Sequence, residues 1–148
     1  HLLSDEDALC ALRCVRAHLA PGGEFVLHLW AAPPKTLIPV IRQPTMQFTR
    51  TGQYACPDPD TTLQHYFRCA VDAPRRLLIE DHRVEECSPA GEVRRRVDIP
   101  MIRRWYRPRH IKRLLSQAGF TAYTLHGGFD AEPFSPTCSE MVWIARRD

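Results

Sequence analysis

The stretch "HLAPGGEFVLHLW", residues 18–30, decides how the chain is organised. A helical run ends at Pro21-Gly22-Gly23, and an apolar segment typical of a strand begins at Phe25. A helix that passes through a short glycine turn into an apolar strand is typical of α/β layer folds. In such folds binding and chemistry lie beyond the carboxyl ends of the strands. The side chains at that end of this strand are His28 and Trp30.

The residues around the glycine turn strengthen the assignment of a helix and a strand. Ser4 is followed three residues later by Asp7, which is the pattern of a helix N-cap with a capping box. Apolar residues then recur at helical spacing at Ala8, Leu12, Val15 and Leu19. The nearly continuous apolar run after the turn predicts a strand that is buried on both faces.

The middle of the chain has a different pattern. Residues 31–53 contain four prolines and show no regular apolar period, so we assign no helix or strand there. Three segments with alternating or strand-like composition follow, over residues 62–71, 77–86 and 93–102. Because tight turns join them, they predict an antiparallel meander.

The end of the chain returns to helix and strand patterns. Pro108 stands at the favoured first position of a helix, and Gly119 is its expected stop. Residues 121–126 and 140–145 then predict two strands, with the long loop "GGFDAEPFSPTC" between them. The predicted order is therefore helix, strand, inserted meander, helix, strand, strand.

Composition places the chain among ordinary globular domains. It has 148 residues, 44% of them hydrophobic, and a net charge of +3, which is too small to indicate nucleic acid or anionic membranes as partners. It contains no apolar run of the ~20 residues that a membrane span requires, and its first residues do not have the pattern of a signal peptide. The six cysteines form no CxxC pair, so we expect no metal site, and we interpret them as reduced thiols in a cytoplasmic protein.

Three segments together resemble a known family. They are "LCALRCVRAHLAPGGEFVLHLW" (9–30), "IRRWYRPRHIKRLLSQAGF" (102–120) and "LHGGFDAEPFSPTCSEMVWIARR" (125–147). In this order they resemble the C-terminal half of a class I S-adenosylmethionine-dependent methyltransferase. The resemblance implies an α/β fold made of strands five to seven of a Rossmann-like sheet, with an antiparallel lid of the small-molecule type inserted after strand five. It divides a single, incomplete domain into residues 1–30, 31–103 and 104–148.

One departure from the family affects the cofactor, S-adenosylmethionine. The family binds it with a glycine-rich loop after strand one and an acidic residue after strand two. Neither is present, since Gly22-Gly23 precedes a strand and Gly127-Gly128 lies in a hairpin loop. We therefore expect a fragment that is inactive alone. We also expect it to self-associate or to be weakly stable, because the edge of strand five would be open.

The resemblance also suggests roles for particular residues. Methyl transfer is an in-line displacement that needs an aligned acceptor, excluded water and, where the acceptor carries a proton, a base. We assign His28 as the catalytic residue, which either binds the acceptor or acts as the base. The side chains expected to bind the acceptor are Trp30, Tyr66, Arg104, Tyr106, Phe129 and Asp130. The residues expected to touch the cofactor, from their position after strand four, are His1 and Leu2.

Other interpretations stay open. Each of these side chains has an ordinary packing or turn role as its alternative, and nitrogen, oxygen and carbon acceptors are all possible. The chain as a whole is alternatively a non-catalytic binding or dimerisation module of the same fold, or a basic nucleic-acid-binding domain centred on residues 94–113. Strand alternation places Arg94 and Arg96 opposite Arg95 and disperses that basic patch. We therefore expect a small-molecule substrate, no membrane, no nucleic acid and association of copies through the open sheet edge.

Overall fold

The structure is a computed structural model that describes residues 2–148, and it divides the chain into two compact units. The core unit combines the residues up to Leu37 with residues 104–148, and the insertion unit spans Ile38–Arg103. In chain order the elements are α1 (Asp5–His18), β1 (Glu24–Trp30), α2 (Pro34–Arg42), β2 (Thr45–Ala55), β3 (Thr62–Asp72), β4 (Leu77–Cys87), β5 (Val93–Arg104), α3 (Pro108–Gln117), β6 (Ala122–His126) and β7 (Glu140–Arg146).

Both ends of helix α1 are stabilised by side-chain hydrogen bonds. The Ser4 hydroxyl accepts a hydrogen bond from the backbone N–H of Asp7 at 3.0 Å, which confirms the predicted N-cap. Acidic residues fill the first turn, where the helix dipole favours negative charge. At the other end, the guanidinium of Arg147 donates hydrogen bonds to the carbonyls of Arg16, Ala17 and Leu19. The carbonyls left over at the end of the helix thus find a donor on the last part of the chain.

The core unit contains a mixed α/β layer, as the sequence predicts. Its sheet has the strand order β1-β7-β6, and both pairs are antiparallel. One face of this sheet packs against α1 and α3 in a common hydrophobic core. The most deeply buried large side chains of the chain belong to this core, namely Leu114, Leu115, Phe120 and Met141.

The expectation that β1 is buried on both faces is wrong. Phe25, Leu27 and Leu29 pack against the core, whereas Val26 is 52% exposed and His28 is also exposed. The reason is that successive side chains of a strand point to opposite faces, and α1 and α3 cover only one of them. In the register with β7, Leu27 lies opposite Trp143 on the covered face. The face of β1 that carries His28 is therefore exposed, although on the same face of the sheet Val142, opposite His28, is only 3% exposed.

The insertion unit is a sheet of four antiparallel strands with the order β2-β3-β4-β5. Three of them correspond to the predicted meander. The expectation of no regular element over residues 31–53 is wrong, since α2 begins at Pro34 and β2 at Thr45. Proline is tolerated at the start of a helix, and α2 also accommodates Pro39 inside it. Strand β2 pairs with β3 only through shifts of register, and such irregular strands lack a clean sequence period.

The elements are too short to cross a bilayer as helices. Throughout residues 2–148, no helix combines the length and the apolar character that a membrane span requires.

Candidate functional site

The exposed face of the core sheet carries a cluster that we call the His28 cluster, formed by His28, Phe129 and Glu140. The Nε2 atom of His28 lies 3.7 Å from the Oε1 atom of Glu140. The ring of Phe129 meets the imidazole edge-on, with 4.9 Å between the ring centroids. Glu140 is the first residue of β7 and His28 is near the end of β1. The antiparallel register of these strands brings the carboxylate and the imidazole to the same face.

The His28 cluster is accessible to a ligand. The side chains of His28 and Glu140 are 45% and 44% exposed, so the contact between them contributes little to stability. An imidazole beside a carboxylate can accept a proton from a bound molecule, and the carboxylate then stabilises the imidazolium. The arrangement therefore suits general-base chemistry on a small molecule held against the sheet.

Trp30 and the loop after β6 complete the surroundings of the cluster. Trp30 lies on the same face as His28, two residues along β1, and is half-buried. Phe129 is 67% exposed, and Asp130 follows it in the loop, also exposed. The loop turns tightly at Gly127, where a Cβ atom would lie 2.6 Å from the Sγ atom of Cys138. Only a glycine fits there without displacing the cysteine.

Sequence reasoning missed Glu140. It stands at the start of a predicted strand and belongs to no recognisable motif. The signal that identifies it is the antiparallel pairing of β1 with β7, in which Trp30 lies opposite Glu140 and His28 lies opposite Val142. His28 and Glu140 are therefore diagonal neighbours across the two strands, which is within reach of long side chains.

A second group of polar side chains, which we call the Asp5 cluster, gathers at the beginnings of α1 and α3. One carboxylate, Asp5, is surrounded by Arg104 at 2.7 Å, His110 at 2.9 Å and Arg113 at 2.6 Å. The side chains of Arg104 and His110 are 10% and 6% exposed. Two of the three basic side chains are almost fully buried, and a buried charge without a partner would destabilise the fold. The carboxylate of Asp5 supplies that partner.

The surroundings of Asp5 change its acidity. Desolvation raises the pKa of this carboxyl, but the hydrogen bond and charge of His110, together with those of Arg104, outweigh it. The pKa of Asp5 therefore lies below its ordinary value, and the group stays ionised at neutral pH.

Three residues predicted to bind the substrate or the cofactor meet in the core unit. Arg104 lies over the ring of Tyr106, 5.1 Å from its centroid, and the hydroxyl of Tyr106 donates a hydrogen bond to the carbonyl of Leu2 at 3.0 Å. All three line an otherwise apolar cavity of about 290 Å³ between α1, β1 and α3. His1, the other residue assigned to the cofactor, lies outside the described residues. The functions assigned to these residues stay predictions.

Tyr66 belongs to the insertion unit. Its hydroxyl donates a hydrogen bond to the Oε1 atom of Gln64 at 2.7 Å. Desolvation, followed by the charge of Glu85, raises the pKa of Tyr66 above its ordinary value. The tyrosine is thus a neutral hydrogen-bonding group on β3, and its role in substrate binding stays a prediction.

The glycines of the described residues do not form a cofactor cradle. The backbone N–H of Gly22 donates to the carbonyl of Arg147 at 2.8 Å, and a Cβ atom on Gly23 would lie 2.9 Å from the carbonyl oxygen of Ala20. These close approaches shape the chain reversal between α1 and β1. Within residues 2–148, therefore, the glycine turns serve the fold and do not fit S-adenosylmethionine by themselves.

Comparison with known proteins gives matches among solved structures. No family model and no curated protein matches the chain by sequence. The CcbJ methyltransferase from Streptomyces caelestis matches 99% of the chain with 24% identity and a TM-score of 0.66. An S-adenosylmethionine-dependent methyltransferase from Clostridium acetobutylicum matches 99% with 12% identity and the same TM-score. CalS10, an amino pentose methyltransferase from Micromonospora echinaspora with S-adenosylmethionine bound, matches 98% with 17% identity and a TM-score of 0.66.

These matches cover nearly all of this chain but only about half of each neighbouring chain. The chain spans 56%, 53% and 52% of the lengths of the three methyltransferase chains, while almost all of its own residues are aligned. The α/β architecture with an inserted antiparallel sheet agrees with the resemblance drawn from the three sequence segments. The chain therefore has the fold of the C-terminal half of a class I S-adenosylmethionine-dependent methyltransferase.

Proposed function

We propose that this chain is the acceptor-binding half of an S-adenosylmethionine-dependent methyltransferase that acts on a small molecule. The observation that carries the proposal is the His28 cluster, in which an accessible imidazole lies 3.7 Å from a carboxylate on the exposed face of β1. The fold match adds that this sheet has the architecture of methyltransferases. In that fold the carboxyl end of β1 is where a ligand is expected.

The residues of the cluster have distinct tasks in this proposal. His28 accepts the proton that the acceptor loses, through its Nε2 atom, and Glu140 stabilises the resulting imidazolium. The ring of Phe129 packs edge-on against the imidazole and covers one side of it. The methyl group comes from the sulfonium of S-adenosylmethionine. Because the described residues do not cradle that cofactor, we assign its binding to a further half of the protein, equivalent to the part of the neighbours that this chain does not cover.

We propose an amine of a small, polar molecule such as an amino sugar as the acceptor. CalS10, which shares the fold, is an amino pentose methyltransferase. An ammonium group must lose a proton before its nitrogen attacks a methyl group, and this requirement matches an imidazole paired with a carboxylate.

The experiment begins with the gene upstream of residue 1. The encoded product is purified and assayed for transfer of a labelled methyl group from S-adenosylmethionine to a panel of amino sugars. We expect His28→Gln to lower kcat about 10²- to 10⁴-fold, which is the range for loss of a general base, without weakening cofactor binding measured by calorimetry. The matched control is His18→Gln, since His18 is an exposed histidine at the end of α1 that only bonds the backbone of Cys14.

Two results would overturn the proposed function. One is an upstream sequence that encodes no strand followed by a glycine-rich loop. The other is a His28→Gln variant that keeps the wild-type kcat on every acceptor methylated by the wild-type protein.

A second candidate function is a non-catalytic binding module of the same fold. The observation that favours it is the edge position of β1 in the core sheet, where Val26 is 52% exposed and available to a partner chain. Calorimetry with S-adenosylmethionine separates the two candidates, because the module does not bind the cofactor even when the upstream half is present. The ion pairs of Arg95 with Glu86 and of Arg96 with Glu85 weigh against a nucleic-acid-binding surface, since these guanidinium groups already have carboxylate partners.

We further propose that the protein works in a reducing compartment such as the cytoplasm. All six cysteines are free, and two of them, Cys10 and Cys14, are exposed on α1.

A further inference from the structure

The insertion unit contains a pair of histidines that the proposed methyl transfer does not use. His65 lies on β3 and His82 on β4, and the Nε2 atom of His65 is 3.0 Å from the Nδ1 atom of His82. Their ring planes are inclined by only 21° and their centroids are 5.2 Å apart, so the two rings lie end to end with these nitrogens between them. Both side chains are half-buried. Two ring nitrogens thus face each other on the surface of a sheet, where the backbone holds them more firmly than a loop would.

The other ring nitrogen of His65, Nδ1, has a hydrogen-bond partner on β2. Its Nδ1 atom lies 2.7 Å from the Oγ1 atom of Thr51 on β2. If Nδ1 carries the proton and donates it to the threonine, the lone pair of Nε2 points toward His82. A hydrogen-bond partner on the second ring nitrogen is the usual device that orients a metal-binding histidine and selects its tautomer.

The position of His82 is restricted as well. The ring of Phe67 packs against it, with 5.0 Å between centroids. In the absence of a cation, one proton shared between the two rings satisfies the facing nitrogens. This shared proton is the one on Nδ1 of His82. When a metal ion binds, the proton moves to Nε2 of the same ring, so both rings remain neutral and no proton is released.

We propose that His65 and His82 bind one divalent transition-metal ion of the class that prefers imidazole, such as Zn²⁺, Ni²⁺ or Cu²⁺. A metal–nitrogen bond is about 2.0–2.1 Å long, so two nitrogen ligands of one tetrahedral ion lie about 3.3 Å apart. The facing nitrogens therefore need to move apart by only a few tenths of an ångström, and the two rings need to turn so that both lone pairs point at the same ion. Residues 2–148 contain no group of three or more histidine, cysteine or acidic side chains suited to a metal, so water completes the coordination.

The test uses Ni²⁺ as the probe and the 148-residue chain without a histidine tag. Cys10 and Cys14 are replaced by serine in every variant, because their exposed thiols also bind such ions. We expect substoichiometric Ni²⁺ to broaden the imidazole NMR signals of His65 and His82 before those of His18 and His126. Calorimetry then gives the affinity, and His18→Gln is the control that leaves it unchanged.

Three variants separate a built site from chance binding to surface histidines. His65→Gln and His82→Gln each remove a ligand and should weaken binding more than tenfold, whereas Thr51→Val keeps both ligands, removes only the supporting hydrogen bond and should weaken binding about tenfold. The circular dichroism of each variant shows whether the sheet is intact. Equal broadening of all histidine signals, or an affinity that the His65 and His82 substitutions leave unchanged, would overturn the site. None of these outcomes depends on methyl transfer.

Discussion

At the scale of single residues, two side chains of the same type differ in reactivity because their surroundings differ. Cys69 and Cys10 are both free thiols, but Cys69 is 5% exposed on β3 and Cys10 is exposed on α1. Desolvation, assisted by the nearby charge of Glu80, raises the pKa of Cys69 to about 11. The thiolate is the reactive form, so burial makes this cysteine inert at neutral pH.

The first prediction concerns thiol reactivity. When the folded chain is treated with iodoacetamide at pH 8, we expect Cys10 and Cys14 to be alkylated in minutes and Cys69 to be protected until the protein unfolds. Mass spectrometry of the digested protein identifies the labelled residues. Alkylation of Cys69 at the rate of Cys10 in the folded state would contradict the structure.

The second prediction concerns Asp5, whose carboxylate is the partner of two nearly buried basic side chains. Asp5→Asn leaves Arg104 without its ion pair and should lower the free energy of unfolding at pH 7 by about 1–3 kcal/mol, the usual cost of an unsatisfied buried group. Urea unfolding followed by circular dichroism measures this difference. Asp130→Asn, in an exposed loop, is the control.

The contribution of Asp5 to the free energy of unfolding should depend on pH, and the direction of its pKa shift gives the sign. The pKa of Asp5 is lower in the folded state than its ordinary value of about 3.9. Asp5 therefore stabilises the folded state fully when the pH is above that ordinary value, and this stabilisation is lost as the pH falls through the pKa of the folded state. The difference between wild type and Asp5→Asn should shrink between pH 5 and pH 2–3. A difference that stays constant over this range would show that the charge of Asp5 is not what stabilises the fold.

At the scale of elements, local signals explain where α1 begins and leave β2 unexplained. The Ser4 cap is visible in the sequence because a capping hydroxyl acts on an N–H only three residues away. Strand β2 has no such local signal, since it is defined by its pairing with β3 across two shifts of register. The same holds for α2, which includes two prolines and only one buried apolar residue, Leu37.

The third prediction tests the cap of α1. Ser4→Ala removes the hydrogen bond to the Asp7 N–H and should lower the free energy of unfolding by about 1 kcal/mol. Ser4→Thr should restore it, because a threonine hydroxyl at the N-cap accepts the same bond and, like serine, donates to the carboxylate of Asp7. The measurement is again urea unfolding, with the exposed Ser139→Ala as control. Equal stability of Ser4→Ala and wild type would refute the role of the cap.

At the scale of the whole molecule, the core sheet exposes apolar surface and an unpaired edge. Strand β1 is at the edge of the three-stranded sheet, and Val26 on it is 52% exposed. The cavity between α1, β1 and α3 adds an apolar wall formed by Leu12, Phe25, Leu27, Leu29 and their neighbours. An open strand edge next to apolar surface favours association with another chain.

The fourth prediction is that the isolated chain self-associates through β1. We expect the mean mass from light scattering to rise with concentration and Val26→Lys to suppress that rise, because a charge on an edge strand opposes pairing. Val93→Lys is the matched control, since Val93 is 47% exposed but lies on β5 of the insertion unit. A monodisperse wild-type monomer at high concentration would contradict this prediction.

The sequence by itself determined the features that depend on neighbouring residues. These are the N-cap of α1, the stop of α3 at Gly119, the presence of strand β3 and the order of helices and strands that resembles a methyltransferase half. Each depends on hydrogen bonds or steric effects within a few positions of the chain, which a linear pattern records.

Only the tertiary structure decided which distant side chains meet. The pairing of β1 with β7 brings Glu140 to His28, and the packing of α1 beside α3 gathers Arg104, His110 and Arg113 around Asp5. The sheet order also leaves one face of β1 uncovered, contrary to its apolar sequence. These contacts join residues up to 112 positions apart, as in His28 and Glu140 (140 − 28), and no local periodicity encodes them. Their geometry is set by strand register and helix packing, which follow from the burial of the whole core.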